Sequence, residues 1–90
     1  MEIKGKIIEI QELKTGISQK TGTPWASQMY VIETQEQYPK RCYFEVFGEE
    51  RIRQFALRVG DNVSVSFDIM AEQYNGNWYN RIRAWNAVKC

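Results

Sequence analysis

The alternation of apolar and polar positions changes period once along the chain, and the change separates a series of strands from one short helix. The clearest strand pattern lies in residues 61–85. Val63, Val65, Phe67 and Ile69 alternate with Ser64, Ser66, Asp68 and Met70, the period of a strand with one buried face. Asn75-Gly76 follows, a pair that tolerates the positive φ angles of a two-residue hairpin turn. On the return strand Ile82 and Ala84 share one parity, which leaves Tyr79, Arg81, Arg83 and Trp85 on the outward face. Two aromatics bracketing two arginines make a costly exposed surface unless something flat and anionic lies on it.

The earlier part of the chain predicts three more strands. Residues 2–13 start with Ile3, Gly5 and Ile7 on one parity and shift to Ile8 and Ile10 on the other, as a β-bulge produces. Gly5 predicts close backbone approach or a bend. Residues 14–24 hold two glycines, a proline and several hydroxyl side chains, and are expected to be a mobile loop. A second strand spans 25–34 with two possible parities, Tyr30 and Ile32 inward or Met29 and Val31 inward, and propensity does not decide between them. The assignment adopted is Tyr30 and Ile32 inward, with Trp25, Ser27, Met29 and Val31 outward. After Pro39 a third strand begins at Lys40 or Arg41 and runs to Phe47, with Cys42, Phe44 and Val46 inward and Arg41, Tyr43, Glu45 and Phe47 outward.

Between Gly48 and Gly60 the spacing becomes helical: Ile52, Phe55, Ala56 and Val59 fall on one stripe. Glu49 and Glu50 suit the first turn, Arg58 the last, and Gly60 is expected to end the helix. Three strands, a helix and a two-stranded hairpin in a small chain predict an all-β fold. The expected form is a five-stranded OB-fold barrel with one short helix between strands three and four.

Composition narrows the function classes. The 90 residues make a single domain, 1–90, and a chain this short buries only about 60–65% of its unfolded surface. Aromatics reach 13%, so several must be core. The formal charge of +1 gives no whole-molecule sign of a polyanion partner, so any such site depends on local arrangement. Cys42 and Cys90 are far apart and there is no histidine, which predicts no metal site and no cofactor. No apolar run reaches signal-peptide or membrane-span length, and the expectation is a cytoplasmic protein with reduced thiols, no membrane contact and no small-molecule substrate. Asn62-Val63-Ser64 matches a glycosylation sequon by chance in such a chain.

The residues also carry a resemblance. Val46-Phe47-Gly48 before a helix, Gly60-Asp61 before alternating Val63, Val65, Phe67 and Ile69, and then Asn75-Gly76-x-Trp78-Tyr79 resemble the second half of the bacterial single-stranded-DNA-binding proteins. Glu36-Gln37-Tyr38-Pro39 and Asn75-Gly76-Asn77-Trp78-Tyr79-Asn80, with Arg83-Ala84-Trp85, resemble a small bacterial family of domains of unknown function thought to share the OB-fold. That likeness runs along nearly the whole chain. The first resemblance implies base stacking and phosphate contacts at the outward positions of the third strand, here Arg41, Tyr43 and Phe47. Single-strand-binding proteins also usually carry a tail with an acidic end that recruits other enzymes. No such tail follows Lys89-Cys90 in this sequence, and if this is the whole protein, recruitment of that kind is not expected.

The functional expectation is a non-enzymatic module for single-stranded nucleic acid, DNA before RNA, in which outward aromatics stack on bases and arginines meet the backbone. Tyr43, Phe47, Tyr79 and Trp85 are the stacking candidates, with Arg41, Arg81 and Arg83 as phosphate or cation–π partners. Trp25, Lys20, Tyr74 and Trp78, on or near two loops, form a second rank. Structural alternatives stand beside each. Trp78 can fold over the barrel mouth, Trp85 can cover the barrel bottom or the helix, and Phe47 can be wholly buried. Tyr43 and Tyr79 can form a cross-strand pair, and Arg81 and Arg83 can pair with Glu45 and Glu33. The alternative function is a protein-interaction module, or self-association as a dimer or tetramer, since such a face also resembles an interface core. An enzyme is not expected. The chain has no histidine or phosphate-cradling glycine loop, and no activated nucleophile.

Overall fold

The computed structural model describes residues 1–90. It is mostly β, with strands β1 (Glu2–Ile10), β2 (Lys14–Ile17), β3 (Pro24–Glu33), β4 (Arg41–Phe47), β5 (Asn62–Tyr74) and β6 (Asn77–Lys89), and one helix, α1 (Glu49–Phe55). The sheet order is β1-β5-β6-β4-β3-β2, and β1 also pairs with β3, so five of the strands close into a ring. All neighbours are antiparallel except β4 and β6, which meet in parallel at one register pair, Glu45 and Arg83. The ring is therefore thinnest in backbone pairing where the outward face is richest in chemistry.

The core fills the ring with Ile7, Tyr30, Ile32, Phe44, Val46, Val63, Val65 and Ala84, closed at one end by Phe55 and Leu57. Tyr30 and Ile32 face inward, the parity adopted for that strand. Tyr30 stacks on Phe44 with ring centroids 5.4 Å apart, and its hydroxyl donates to Gln28 Oε1 at 2.9 Å. Burial pushes the Tyr30 phenol pKa up because the ionised form would lose its hydration. The bulge expected in β1 falls at Ile8, between the pairs Ile7–Ile32 and Glu9–Val31. Gly5 lies against the β3 backbone: a Cβ there would sit 2.3 Å from the Glu33 carbonyl oxygen.

Three expectations need correction. The stretch 14–24 is not simply a loop, because Lys14–Ile17 form β2 and pair with Pro24–Ser27 of β3. Gly16 permits this by leaving room for the Trp25 indole, whose ring atoms lie 2.6–2.8 Å from where a Cβ would stand. The strand count is accordingly six, and the helix falls between β4 and β5.

The helix is also shorter than its apolar stripe. Ala56 takes a left-handed conformation (φ 48) and its N–H closes the last turn on the Ile52 carbonyl. The cost of left-handed alanine, about 1–2 kcal/mol, is offset by turning Leu57 into the core, worth about 1.5–3 kcal/mol, while Val59 is left exposed. Arg58 and Gly60 thus lie beyond the helix. The Asp61 carboxylate accepts the Arg58 N–H at 2.9 Å, and the Gly60 N–H reaches the Ile7 carbonyl.

In β6 a second bulge places Trp85 as the extra residue between the pairs Phe67–Ala84 and Ser66–Asn86. This brings Ala87 round to the core side, a parity slip that the apolar pattern of β6 did not reveal. At the other end of the hairpin, Asn75 and Gly76 both take positive φ, 49° and 79°, as a two-residue turn with matching twist requires. Residues 71–80 are exposed on both faces, so the hairpin projects beyond the ring as a two-stranded arm. No helix is long and apolar enough to cross a membrane.

Candidate nucleic-acid interface

Alternation puts Trp25, Ser27, Met29 and Val31 of β3 on the same outer face as Tyr43, Glu45 and Phe47 of β4, and as Tyr79, Arg81 and Arg83 of β6. Pairing sets Ser27 opposite Phe47, and Met29 opposite Glu45. Two grooves cross this face. One, of about 650 Å³, is lined by Lys14, Ser18, Thr23 and Pro24 from the β2–β3 hairpin, by Trp25, Ser27, Glu45 and Phe47, and by Arg81 and Arg83. The other, of about 430 Å³, fills the wedge where the arm diverges from β4 and is lined by Met29, Tyr43, Tyr74, Tyr79, Arg81 and Ile82, among others. Arg81 lines both grooves, so they meet at its side chain.

The floor of the first groove is polar and ordered. Glu45 is buried although it points away from the core. Its Oε2 accepts the Ser27 hydroxyl at 2.9 Å and its Oε1 accepts Arg83 Nε at 3.1 Å. The Arg83 guanidinium lies over the Phe47 ring, 4.9 Å from its centroid, within the range of a cation–π contact. Four side chains from three strands thus hold one another in place, and no buried side-chain polar atom in the structure lacks a partner. Arg81, by contrast, meets Glu72 at 3.3 Å with both side chains about half exposed. An exposed pair of this kind is weak and exchanges readily. Lys14 forms no ion pair.

Of the residues singled out from the sequence, the structure gathers Trp25, Phe47, Arg81 and Arg83 in the first groove and Tyr43, Tyr74, Tyr79 and Arg81 in the second. Phe47 is exposed at 40%, so it is not a core residue, and the Trp78 and Trp85 side chains are likewise exposed. Neither Trp78 nor Trp85 lines a groove. Trp78 pairs with Gln73 on the opposite face of the arm from Tyr79. Arg41 is tied to Glu33 at 3.0 Å at the far end of β4, and Lys20 is exposed in the β2–β3 turn and lines neither groove. The expected pairing of Arg83 with Glu45 is present, but Arg81 takes Glu72 and Glu33 takes Arg41. Register explains the change, because Glu33 stands directly opposite Arg41. Tyr43 and Tyr79 line the same groove, and the Tyr43 hydroxyl donates to Gln11 Oε1 at 2.8 Å.

Sequence reasoning missed Lys14 and the Ser27–Glu45 floor. Lys14 came into reach only through β2. The polar residues at 27 and 45 share the outward parity of their strands, and the signal available was that a serine and a glutamate interrupt an otherwise aromatic face.

Residues 2–88 match the family described as "Domain of unknown function (DUF3127)". The match spans nearly the whole chain, and the chain belongs to that family. No curated protein matches it.

Proposed function

We propose that this member of the DUF3127 family is a non-enzymatic module that binds single-stranded nucleic acid, DNA in the first place, along the two grooves that meet at Arg81. The observation that carries the reading is that one outer face lines a track with Trp25, Phe47, Tyr43, Tyr79 and Tyr74 and sets Lys14, Arg81 and Arg83 among them. Aromatic faces stack on any base, at about 1–3 kcal/mol each, and cations beside them meet the backbone. The fold reading that goes with it is an OB-fold. It is supported by the closed ring of β1, β5, β6, β4 and β3, by the parallel contact of β4 and β6, and by a helix joining the third and fourth ring strands once the short β2 is set aside.

The net charge of +1 and the carboxylate partners of Arg81 and Arg83 lead to an expectation of modest affinity that weakens with salt. The test is fluorescence anisotropy of a labelled oligo-dT of about 30 nucleotides, at low and near-physiological salt, with Tyr79→Ala/Arg81→Ala alongside. Tyr79 lies on the arm and Arg81 at its base, both are exposed, and neither belongs to the core. Wild-type binding that falls with salt and weakens in the variant supports the reading. No anisotropy change at ~50 μM protein in low salt, a concentration sufficient even for sequence-independent phosphate contacts, sinks it.

The projecting arm favours a second reading, a protein-interaction or self-association module, because Tyr74, Trp78 and Tyr79 are exposed on its two faces. Concentration-dependent self-association that disappears in Trp78→Ser, in a protein that leaves oligo-dT unbound, would establish that reading in place of the first.

A further inference from the structure

We infer that Arg83 serves as a base-stacking plane and not as a phosphate contact, with Glu45 as the positioning residue that holds it. The inference rests on the nucleic-acid reading of the groove and specifies how a strand lies in it. Arg83 is among the most constrained cations on the outer face. Its Nε donates to the buried Glu45 carboxylate, which is itself held by Ser27, and its guanidinium carbon lies over the Phe47 ring, 4.9 Å from the centroid. The charge is thereby neutralised within the protein.

Drawing Arg83 away toward a phosphate would leave Glu45 buried without its counter-ion, a strongly unfavourable state. A phosphate entering the floor would also meet that carboxylate. The guanidinium still lines the open groove, with its side chain about one-third exposed. A planar guanidinium seated on an aromatic ring offers its outer face to another flat group, and nucleic-acid bases are such groups. The arrangement is a three-layer stack of Phe47, Arg83 and a base. The phosphates then run along the rim, where Lys14 has no ion-pair partner and Arg81 has only the exposed, exchangeable Glu72.

Salt titrations of oligo-dT binding separate the two roles. Each phosphate contact removed lowers the slope of log K against log salt by about 1, whereas loss of a stacking plane lowers affinity equally at all salt concentrations. Lys14→Gln and Arg81→Gln are expected to reduce the slope. Arg83→Lys keeps the charge and can still reach Glu45 but lacks the plane. It is expected to lose about tenfold in affinity at every salt concentration, in the range of one base stack, with an unchanged slope. Thermal melts of each variant confirm that the fold is retained.

A second variant, Glu45→Gln/Arg83→Gln, replaces the ion pair by a neutral hydrogen-bonding pair and is expected to give the wild-type slope as well. Wild-type affinity in Arg83→Lys, or a slope lowered in the double variant as it is in Lys14→Gln, overturns the inference while the groove reading stands. Absence of binding by the wild-type protein removes the groove reading and the inference together.

Discussion

Replacing Gly5 with alanine tests whether β1 really closes the ring against β3. A Cβ at position 5 would stand 2.3 Å from the Glu33 carbonyl oxygen, 2.8 Å from its carbon and 3.2 Å from Ile32 Cγ1. Ordinary contact begins near 3.4 Å, so the two strands would have to separate by about 1 Å. The obstacle is backbone, which has no rotamer to change. The displacement therefore falls on the neighbouring pairs Lys6–Glu33 and Ile7–Ile32, and Ile7 and Ile32 are both fully buried.

Overpacking costs about 1–3 kcal/mol when side chains can adjust, and here the upper end, about 3 kcal/mol, is expected. For a domain of this size each kcal/mol lowers Tm by roughly 4–8 °C, so Gly5→Ala should melt about 12–24 °C below wild type. Circular dichroism melts with urea titration at 25 °C measure both quantities. Lys4→Ala, at an exposed position on the same strand, provides the control and should shift stability by less than about 0.5 kcal/mol. A Gly5→Ala protein melting within about 4 °C of wild type would mean that β1 and β3 do not approach at this point and that the closure argument is wrong.

Gly16→Ala should push the Trp25 indole off β2, since the new Cβ would lie 2.6 Å from the ring. The expected results are a red-shifted tryptophan emission, a stability loss of about 1–2 kcal/mol and weaker oligo-dT binding; an unchanged spectrum would refute the contact. Burial raises the Cys42 thiol pKa and Cys90 is exposed, so an aromatic disulfide reagent at pH 8 should modify one thiol at least about tenfold faster than the other. Cys90→Ser should abolish the fast phase, and its persistence would contradict the burial of Cys42. The N–H of Arg58 and, secondarily, Lys89 hold the Asp61 carboxyl below its usual pKa. Because the folded-state pKa is the lower one, this contribution to stability is complete above the unfolded pKa of about 3.9 and is lost as pH falls through the folded value. Asp61→Asn should therefore flatten the fall in Tm below about pH 4, and an identical acid profile for the two proteins would refute the assignment.

What the sequence determined by itself was whatever depends on short-range chemistry. The alternation in Val63–Ile69, the Asn75-Gly76 turn, the parity slip around Ile8 and the need for glycine at position 5 are each decided by neighbours in the chain. The structure places them as those patterns imply as far as Phe67, but Ile69, expected inward, is exposed where the hairpin runs out beyond the core. The outward aromatics and arginines were legible for the same reason, because parity assigns a face without reference to distant residues.

Tertiary structure decided what depends on partners remote in sequence. Lys14–Ile17 is a strand only because β3 offers it an edge, and Gly16 is essential there only because Trp25 lies over it. The helix stops at Ala56 because the core has a place for Leu57, which no local propensity encodes. The bulge at Trp85 and the divergence of the arm from β4 divide the expected site residues into those that share a groove and those left outside. The pairing of Glu45 with both Ser27 and Arg83 arises where β4 and β6, separated in the chain by the helix and β5, meet at a single register pair. Periodicity fixes which face a side chain occupies, but register between distant strands fixes what it meets there, and the chemistry of this groove is set by the latter.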